Sequence, residues 1–598
     1  LAKKLAVTTE LSGRETYTVL GNLLRDPQPA DWLSNPLEAL SVLVTPHPEV
    51  YEMWFDVANS SVLKRKEAAF QIADLTRRHR FYSTLQFGGR LLSLRWVLEA
   101  PEASISKAAL LQRQELLAQF PQYAALQQQT ARFQEQLAKL PLAPKEPDVL
   151  DQQKQLLASL AAARGGQEAI LRLMAVRRYP SAMIFPPRRT VKEVQEGLAN
   201  DSAALVFFYS AFRRHFYAYV ISKTEFADFE VGSYDAIRPK LEALLRDMGH
   251  QDKNKALSLK ILKDPQWRKS SKDLLTQLFR NGGGLPTDVQ ELAIVPDGLL
   301  WYVPFEALGA SAAPGLNSWI SRVRIRYAPT AGLIHGDRRG QPRNPSTAVL
   351  LGQLYPRDSA QVAEQAYPEF SRSVSGSQRI HRDEPLAGPS SLFKGMFDRL
   401  IVFDEIDPPS AGAYSWVPMA GRNHSGGTLD SWLGLPWKGP DAAIFPAFHS
   451  RAEDAGNLSG LNPNVAGNEL FLSVCGLMAS GSRTIVLSRW RTGGYTSYEL
   501  IREFTQELGR SSPAEAWQRS VFLASETQIR PDAEPRIDVP PNVEPPNASH
   551  PFFWSGYLLV DSSQPAQAAD EAGGQPNSKQ EEKRRILERI NQDLENKK

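Results

Sequence analysis

Of the 598 residues only one is a cysteine, Cys475. A lone thiol excludes an intrachain disulfide and any metal site built from several thiolates. Sparse cysteine favours a cytoplasm without excluding an envelope space. A long apolar run is missing as well: nothing approaches the roughly 20 residues that span a bilayer as a helix, so no membrane span is expected. Charge of one sign is also lacking. Lys and Arg number 69 against 66 Asp and Glu, a net charge of +3, and such a balance sets up no field to draw in nucleic acid. Gly426-Gly427 and Gly493-Gly494 lack the Lys-Ser pair of a phosphate cradle, and no cofactor is expected. No His-Glu pair at helical spacing with a third ligand is legible, so no metal is expected either. The chain opens at Leu1 with neither Met nor a charged-then-apolar leader, which points to a processed or truncated start.

What is present is an ordinary globular composition, 42% hydrophobic and 23% charged, at a length that favours two or three cooperating units over one core. Residues 1–180 are expected to be helical. Ala68, Ile72 and Leu75, and then Leu91, Leu92, Leu94 and Val97, recur at helical spacing. Leu126, Thr130, Phe133, Leu137 and Leu140 step by four, three, four and three, the spacing of a packed seam. A returning arm through Val149, Leu156, Leu157 and Leu160 would complete a helical hairpin turned at Pro141 to Pro147. This region is expected to end a helical-hairpin or TPR-like array, although no clean repeat of about 34 residues is visible.

The texture changes near Pro180. Thr190 and Glu193 have capping-box spacing. Ala204 to Ser210 and Phe216 to Ser222 form a hairpin by pattern. Short apolar runs then alternate with helical stretches: Leu292 to Val295, Ala348 to Gly352, Leu400 to Phe403, Ala442 to Phe445, Thr484 to Ser488 and Trp554 to Val560. The expected fold class is therefore an α/β sandwich around a central, mostly parallel sheet, preceded by an all-helical region. The expected division is 1–180 helical, 181–561 α/β, and 562–598 a linker with a charged C-terminal helix carrying Ile586, Leu587, Ile590 and Leu594 on one face. Residues 530–549, rich in proline, are expected as a stiff surface excursion before the last strand.

Four segments in order carry a resemblance. Glu115 to Leu126 is similar to "ELL-x-x-x-P-x-Y-x-x-L". Ala293-Ile294-Val295-Pro296-Asp297-Gly298-Leu299-Leu300-Trp301-Tyr302-Val303-Pro304-Phe305-Glu306-Ala307-Leu308 is similar to "PDG-x-L-x-x-LPF-x-x-L", by pattern a strand, a Pro-Asp-Gly reversal and an aromatic return. Ala479 to Trp490 is similar to "AGA-R-S-V-x-x-S-L-W", and Ser549 to Tyr557 to "HP-x-F-W-A-x-F". Together, over 115–560, the chain resembles bacterial CHAT-domain proteins, relatives of the caspases.

The resemblance implies a caspase-like sandwich in which a His ending one strand activates a Cys ending the next. A thiol with an ordinary pKa near 8.5 needs such a base at neutral pH. The strand matching the family's "H-F-A-T-H-G" runs Leu400 to Phe403 and continues Asp404-Glu405-Ile406-Asp407 without a His; His381 and His424 lie too far away to be register errors. The strand matching "L-S-A-C-E-T-G" runs Ala443-Ile444-Phe445-Pro446-Ala447-Phe448-His449-Ser450, with Phe448 at the nucleophile position. The degenerate-site positions are Phe448, His449, Ser450, Asp404, Glu405 and Asp407.

Three readings follow. One is an inactive pseudo-peptidase serving as a protein- or peptide-binding scaffold or regulatory module, by sheet-edge addition or groove binding. The second is a hydrolase with Cys475 or Ser450 as nucleophile and His449 as base. The third is an architectural module, with the polar groups merely capping strand ends. Cys475, within the apolar stretch Leu470 to Met478, is expected as a buried hydrophobe. A protein or peptide partner is expected, and oligomeric state is not addressed by these patterns.

Overall fold

The computed structural model describes residues 11–562 apart from 177–182, 251–255, 283–287, 311–315, 336–338, 340–344, 355–359, 382–385, 407–411, 420–426, 435–438, 453–454, 492 and 541. Asp407, His424 and the expected C-terminal helix lie outside the described residues. Among the described residues up to Val176 every element is helical. The helices start where short polar side chains can receive free N–H groups: Ser12 and Thr190 each form a reciprocal box with the Glu three residues on. Pro121–Leu137 and Pro147–Val176 fold back on one another as the seam predicts. Thr130 donates to Gln167 at 3.1 Å, and a Cβ on Gly166 would stand 2.9 Å from Leu126, so glycine lets the two arms close.

Among the described residues thirteen strands follow: β1 Ser202–Ser210, β2 His215–Ser222, β3 Phe226–Ser233, β4 Leu257–Ser258, β5 Glu291–Val295, β6 Arg324–Tyr327, β7 Thr347–Leu351, β8 Ser377–His381, β9 Arg399–Phe403, β10 Ala442–Phe445, β11 Thr484–Ser488, β12 Ile537–Asp538 and β13 Tyr557–Asp561. Eleven of them make one sheet in the order β3-β2-β1-β5-β6-β13-β11-β10-β9-β7-β8. Pairing is parallel except for β1 with β2, β2 with β3, and β11 with β13. The fold class is the expected one: an α/β sandwich with a mostly parallel sheet, preceded by helices.

Both faces of β1 are covered, as its unbroken apolar run requires. Leu205 and Phe207 join the main core, whereas Val206 and Phe208 face the N-terminal helices. There Phe55 meets Phe208 at 4.4 Å between ring centroids, and Phe70 meets Tyr219 at 5.5 Å. Rings buried this fully contribute about 1.5–3 kcal/mol each. The helices Pro48–Asn59 and Lys66–Tyr82 are thus one wall of the sandwich.

One local expectation is made specific and two are corrected. After Pro296-Asp297 the expected reversal and aromatic return take the form of the 3-10 helix Gly298–Tyr302, because the Asp297 carboxylate takes the Gly298 N–H and caps it. The last strand starts at Tyr557, not Trp554: Pro551–Phe553 is a 3-10 turn, and the Ser555 carbonyl is held by Arg489. The 530–549 segment is only partly on the surface, since Glu534, Arg536 and Ala548 are buried and β12 pairs with β4.

Asp297 also ties the helical wall to the sheet. It is 1% exposed, accepts from Arg80 Nη1 at 2.8 Å and from the Tyr209 N–H at 3.0 Å, and lies 4.0 Å from Arg77. Burial alone would raise its pKa, but Arg80 and Arg77 outweigh that and hold the carboxyl below the usual range. Asp297→Asn removes the carboxylate that wholly buried Arg77 and partly buried Arg80 share. It is expected to cost about 3–5 kcal/mol in urea unfolding; a loss under about 1 kcal/mol would mean the contact is incidental.

Glu52, on the same wall, accepts from the Phe212 N–H at 2.7 Å in the β1–β2 turn. Burial raises its pKa from 4.5 to about 7. The folded protein therefore resists its ionisation, and stability falls as pH rises between those values. Glu52→Gln should match wild type below pH 4.5 and exceed it in melting temperature above about pH 7. An advantage confined to acid pH would reverse that assignment.

Candidate functional site

β9 and β10 are adjacent and parallel, in register from Arg399 opposite Ala442. Their carboxyl ends therefore open side by side, the place where open α/β sheets bind ligands. Pairing continues past both strands: Ile406 N–H donates to the Ala447 carbonyl and His449 N–H to the Ile406 carbonyl, each at 3.0 Å. This rigid continuation sets the direction of every following side chain.

Phe448 turns into the core, wholly buried, with its ring 5.2 Å from Trp416, and its carbonyl accepts from the Ser488 hydroxyl. His449 is also wholly buried but points to polar company. Its Nδ1 accepts from Arg491 Nε at 3.2 Å, which makes Nε2 the protonated nitrogen of a neutral ring. Nε2 lies 3.9 Å from Glu405 Oε1, and Arg491 Nη2 lies 3.8 Å from the same oxygen. Glu405, His449 and Arg491 are one cluster.

The other sequence-selected residues are drawn elsewhere. Asp404 accepts from the Gln353 N–H at 3.0 Å beyond β7, in the space left by Gly352. Ser450 donates to the Arg489 carbonyl and accepts from the Ala452 N–H at 3.1 Å. His381 ends the edge strand β8, separated from β9 by β7. Cys475 is wholly buried in the helix Asn468–Ala479. Burial pushes its thiol well above the ordinary range, and its charged neighbours are Arg80 and Asp74. A hidden, protonated thiol is a poor nucleophile.

Arg491 also borders a small cavity of about 20 Å³ with Thr496, Ser497, Glu534, Arg536 and Phe552, room for about one water. Glu534 closes one side. Its carboxylate accepts from the Thr496 N–H at 2.7 Å and the Thr496 hydroxyl at 2.5 Å, at the positive start of the helix Tyr495–Glu507. Among the described residues no group of three or more His, Cys, Asp and Glu gathers to hold a metal, and no helix is long and apolar enough to cross a membrane.

Arg491 and Glu534 were not legible as site residues. Arg491 had a signal: it stands three residues past Ser488 at the end of β11, beside β10. Glu534 had none, because it arrives from a proline-rich insertion about 40 residues away.

No family model and no curated relative matches the chain. Among solved structures it is similar to the separase–securin complex of Saccharomyces cerevisiae, determined at 3.0 and 2.6 Å. The TM-score is 0.36 in both cases, at 10% and 9% identity, covering 95% of this chain and 48% of that one. This chain spans about half the length of the separase chain it matches.

Gly494 sits at φ +84, and a Cβ there would lie 2.1 Å from Glu534 Oε2. Gly494→Ala should unseat the Glu534 cap and lower stability by about 1–3 kcal/mol in thermal unfolding. An unchanged melting temperature would show that the cap is dispensable.

Proposed function

We propose that the chain is a CHAT-type, caspase-like pseudo-peptidase: a scaffold that recognises a protein or peptide partner at the carboxyl ends of β9 and β10 without cutting it. In this reading the units are residues 1–180, 181–561 and 562–598, and the helical unit buttresses the sheet that presents the site. The observation that carries it is Phe448, at the position of the family's nucleophile, with its ring packed against Trp416 in the core. The absence of a His from Leu400 to Pro409 points the same way.

The Glu405, His449 and Arg491 cluster supports recognition over chemistry. His449 spends its Nδ1 lone pair on Arg491, and the Ser450 hydroxyl donates to a backbone carbonyl. A general base must reach the proton it removes. A site with both charge signs beside a sheet end instead suits polar groups of an extended peptide.

The test is chemical. Native protein should show no thiol-dependent peptidase activity and no labelling by a caspase-type electrophile. Cys475→Ser should change neither result and cost on the order of 1 kcal/mol of stability. A partner recovered from the source cells should stay uncleaved and bind less tightly to His449→Ala. Rapid labelling of native protein, abolished by Cys475→Ser, would replace this reading with a working hydrolase.

A further inference from the structure

The helical hairpin buries a cation for which the described residues supply no acceptor. Arg164, on the helix Pro147–Val176, is 4% exposed, and none of its three guanidinium nitrogens makes a hydrogen bond. Native proteins rarely leave such donors empty, because a buried charge stripped of water needs both a counter-charge and acceptors.

Two more cations converge there from other parts of the fold. Lys394, wholly buried just after the helix Ser390–Phe393, donates to the Trp432 carbonyl at 2.9 Å. Arg95, on the helix Arg90–Glu99, donates to the next carbonyl, Leu433, at 3.1 Å, while its Nε has no acceptor. Burial first, and then Arg164 and Arg95, push the Lys394 ammonium well below the usual lysine range, so the three charges feel one another.

The carboxylates nearby do not restore balance. Glu168 is shared between Arg95 and Arg172. Glu99 already accepts from the Tyr123 hydroxyl at 2.7 Å and from Gln127 and Gln167 at 3.1 Å each, and it makes no hydrogen bond to Arg164. What is left is an excess of positive charge, with open donors on Arg164 and on Arg95 Nε beside the Lys394 ammonium. Solvent reaches the cluster at Glu168, whose side chain is 25% exposed.

We propose that Arg164, Lys394 and Arg95 form a binding site for a phosphate-class oxyanion, either free or as the phosphoryl group of a small molecule, at the joint between the helical hairpin and the sandwich. A tetrahedral oxyanion offers several acceptors in a small volume and fills donors arriving from three directions. The fork of Arg164 gives it a bidentate seat, and Lys394 supplies a compact point charge. Its bridge would join Arg164 on the hairpin to Lys394 before β9 and, through the carbonyls of Trp432 and Leu433, to the chain entering β10. It would thereby brace the segments that carry the candidate site.

The experiment uses the full chain. Melting temperature and calorimetric titration are measured with inorganic phosphate and, separately, adenosine monophosphate, against sodium chloride of equal ionic strength. At about 10 mM, one or both should raise the melting temperature by about 2–4 °C beyond chloride. A response to phosphate identifies the free ion as sufficient, and a response to the nucleotide alone identifies an esterified phosphoryl group. Arg164→Met should abolish the increment and weaken binding at least about tenfold. Arg164→Lys should keep part of it, and the exposed control Arg132→Met should keep all of it. No increment over chloride in the wild-type protein overturns the proposal, as does an increment that survives in folded Arg164→Met.

Discussion

The guanidinium of Arg489 holds the sheet together where its two blocks meet. β3-β2-β1-β5-β6 and β13-β11-β10-β9-β7-β8 join through β6 and β13, where the register contains one residue pair, Tyr327 with Val560. Arg489 spans that seam from the end of β11. One Nη donates to the carbonyls of Ser555 and Tyr557, and the other to Tyr327 Oη at 2.6 Å and Glu306 Oε2 at 3.3 Å. Tyr327 in turn donates to Glu306 at 2.9 Å. A wholly buried ion pair is weak evidence of stability by itself, since desolvation offsets much of its attraction. Here it specifies geometry: few other arrangements give both Nη groups of a buried guanidinium their acceptors beside a buried carboxylate.

The same logic governs the helical wall. Asp74, Arg77, Arg78, His79 and Arg80 are consecutive or nearly so, and all sit in the helix Lys66–Tyr82, most of whose residues are buried. Arg78 reaches Asp26 and the Met183 and Pro186 carbonyls; Arg80 and Arg77 reach Asp297; Asp74 accepts from the Ala331 N–H at 2.8 Å. By sequence this stretch has the look of a solvated face. It is instead the interface between helices and sheet, where Asp74, Arg77, Arg78 and Arg80 each face a group more than 50 residues away. Asp297 and Glu306 both belong to the stretch around Pro-Asp-Gly, so that motif works as a mortar joint: one acid anchors the wall, the other the seam.

The candidate site inherits its shape from these two constraints. With β10 and β11 aligned through Phe445 and Leu487, Arg491 arrives beside His449 and completes a cluster that no local segment contains. Phe448 and His449, neighbours in sequence, point to opposite environments because extended backbone alternates its side chains. Of the six positions singled out from motif comparison, Glu405 joins His449, Phe448 faces the core, Asp404 and Ser450 each find backbone partners of their own, and Asp407 lies outside the described residues.

The amino-acid sequence by itself determined what depends on short-range pattern. Periodicities of about four and of two distinguished helices from strands, Thr190 with Glu193 announced a helix start, and unbroken apolar runs such as Ala204 to Phe208 marked strands buried on both faces. The expectation that Phe448 stands where the resembling family has a nucleophile likewise rests on order along the chain. Only the tertiary structure decided the partners of the charges. Arg164, Arg489 and Arg491 look alike as letters and Glu534 looks like any other acid, for a charged side chain carries no local sign of its distant counterpart. Burial and the register of the sheet made one of them a seam, one a site residue, one a helix cap and one a cation lacking an acceptor among the described residues.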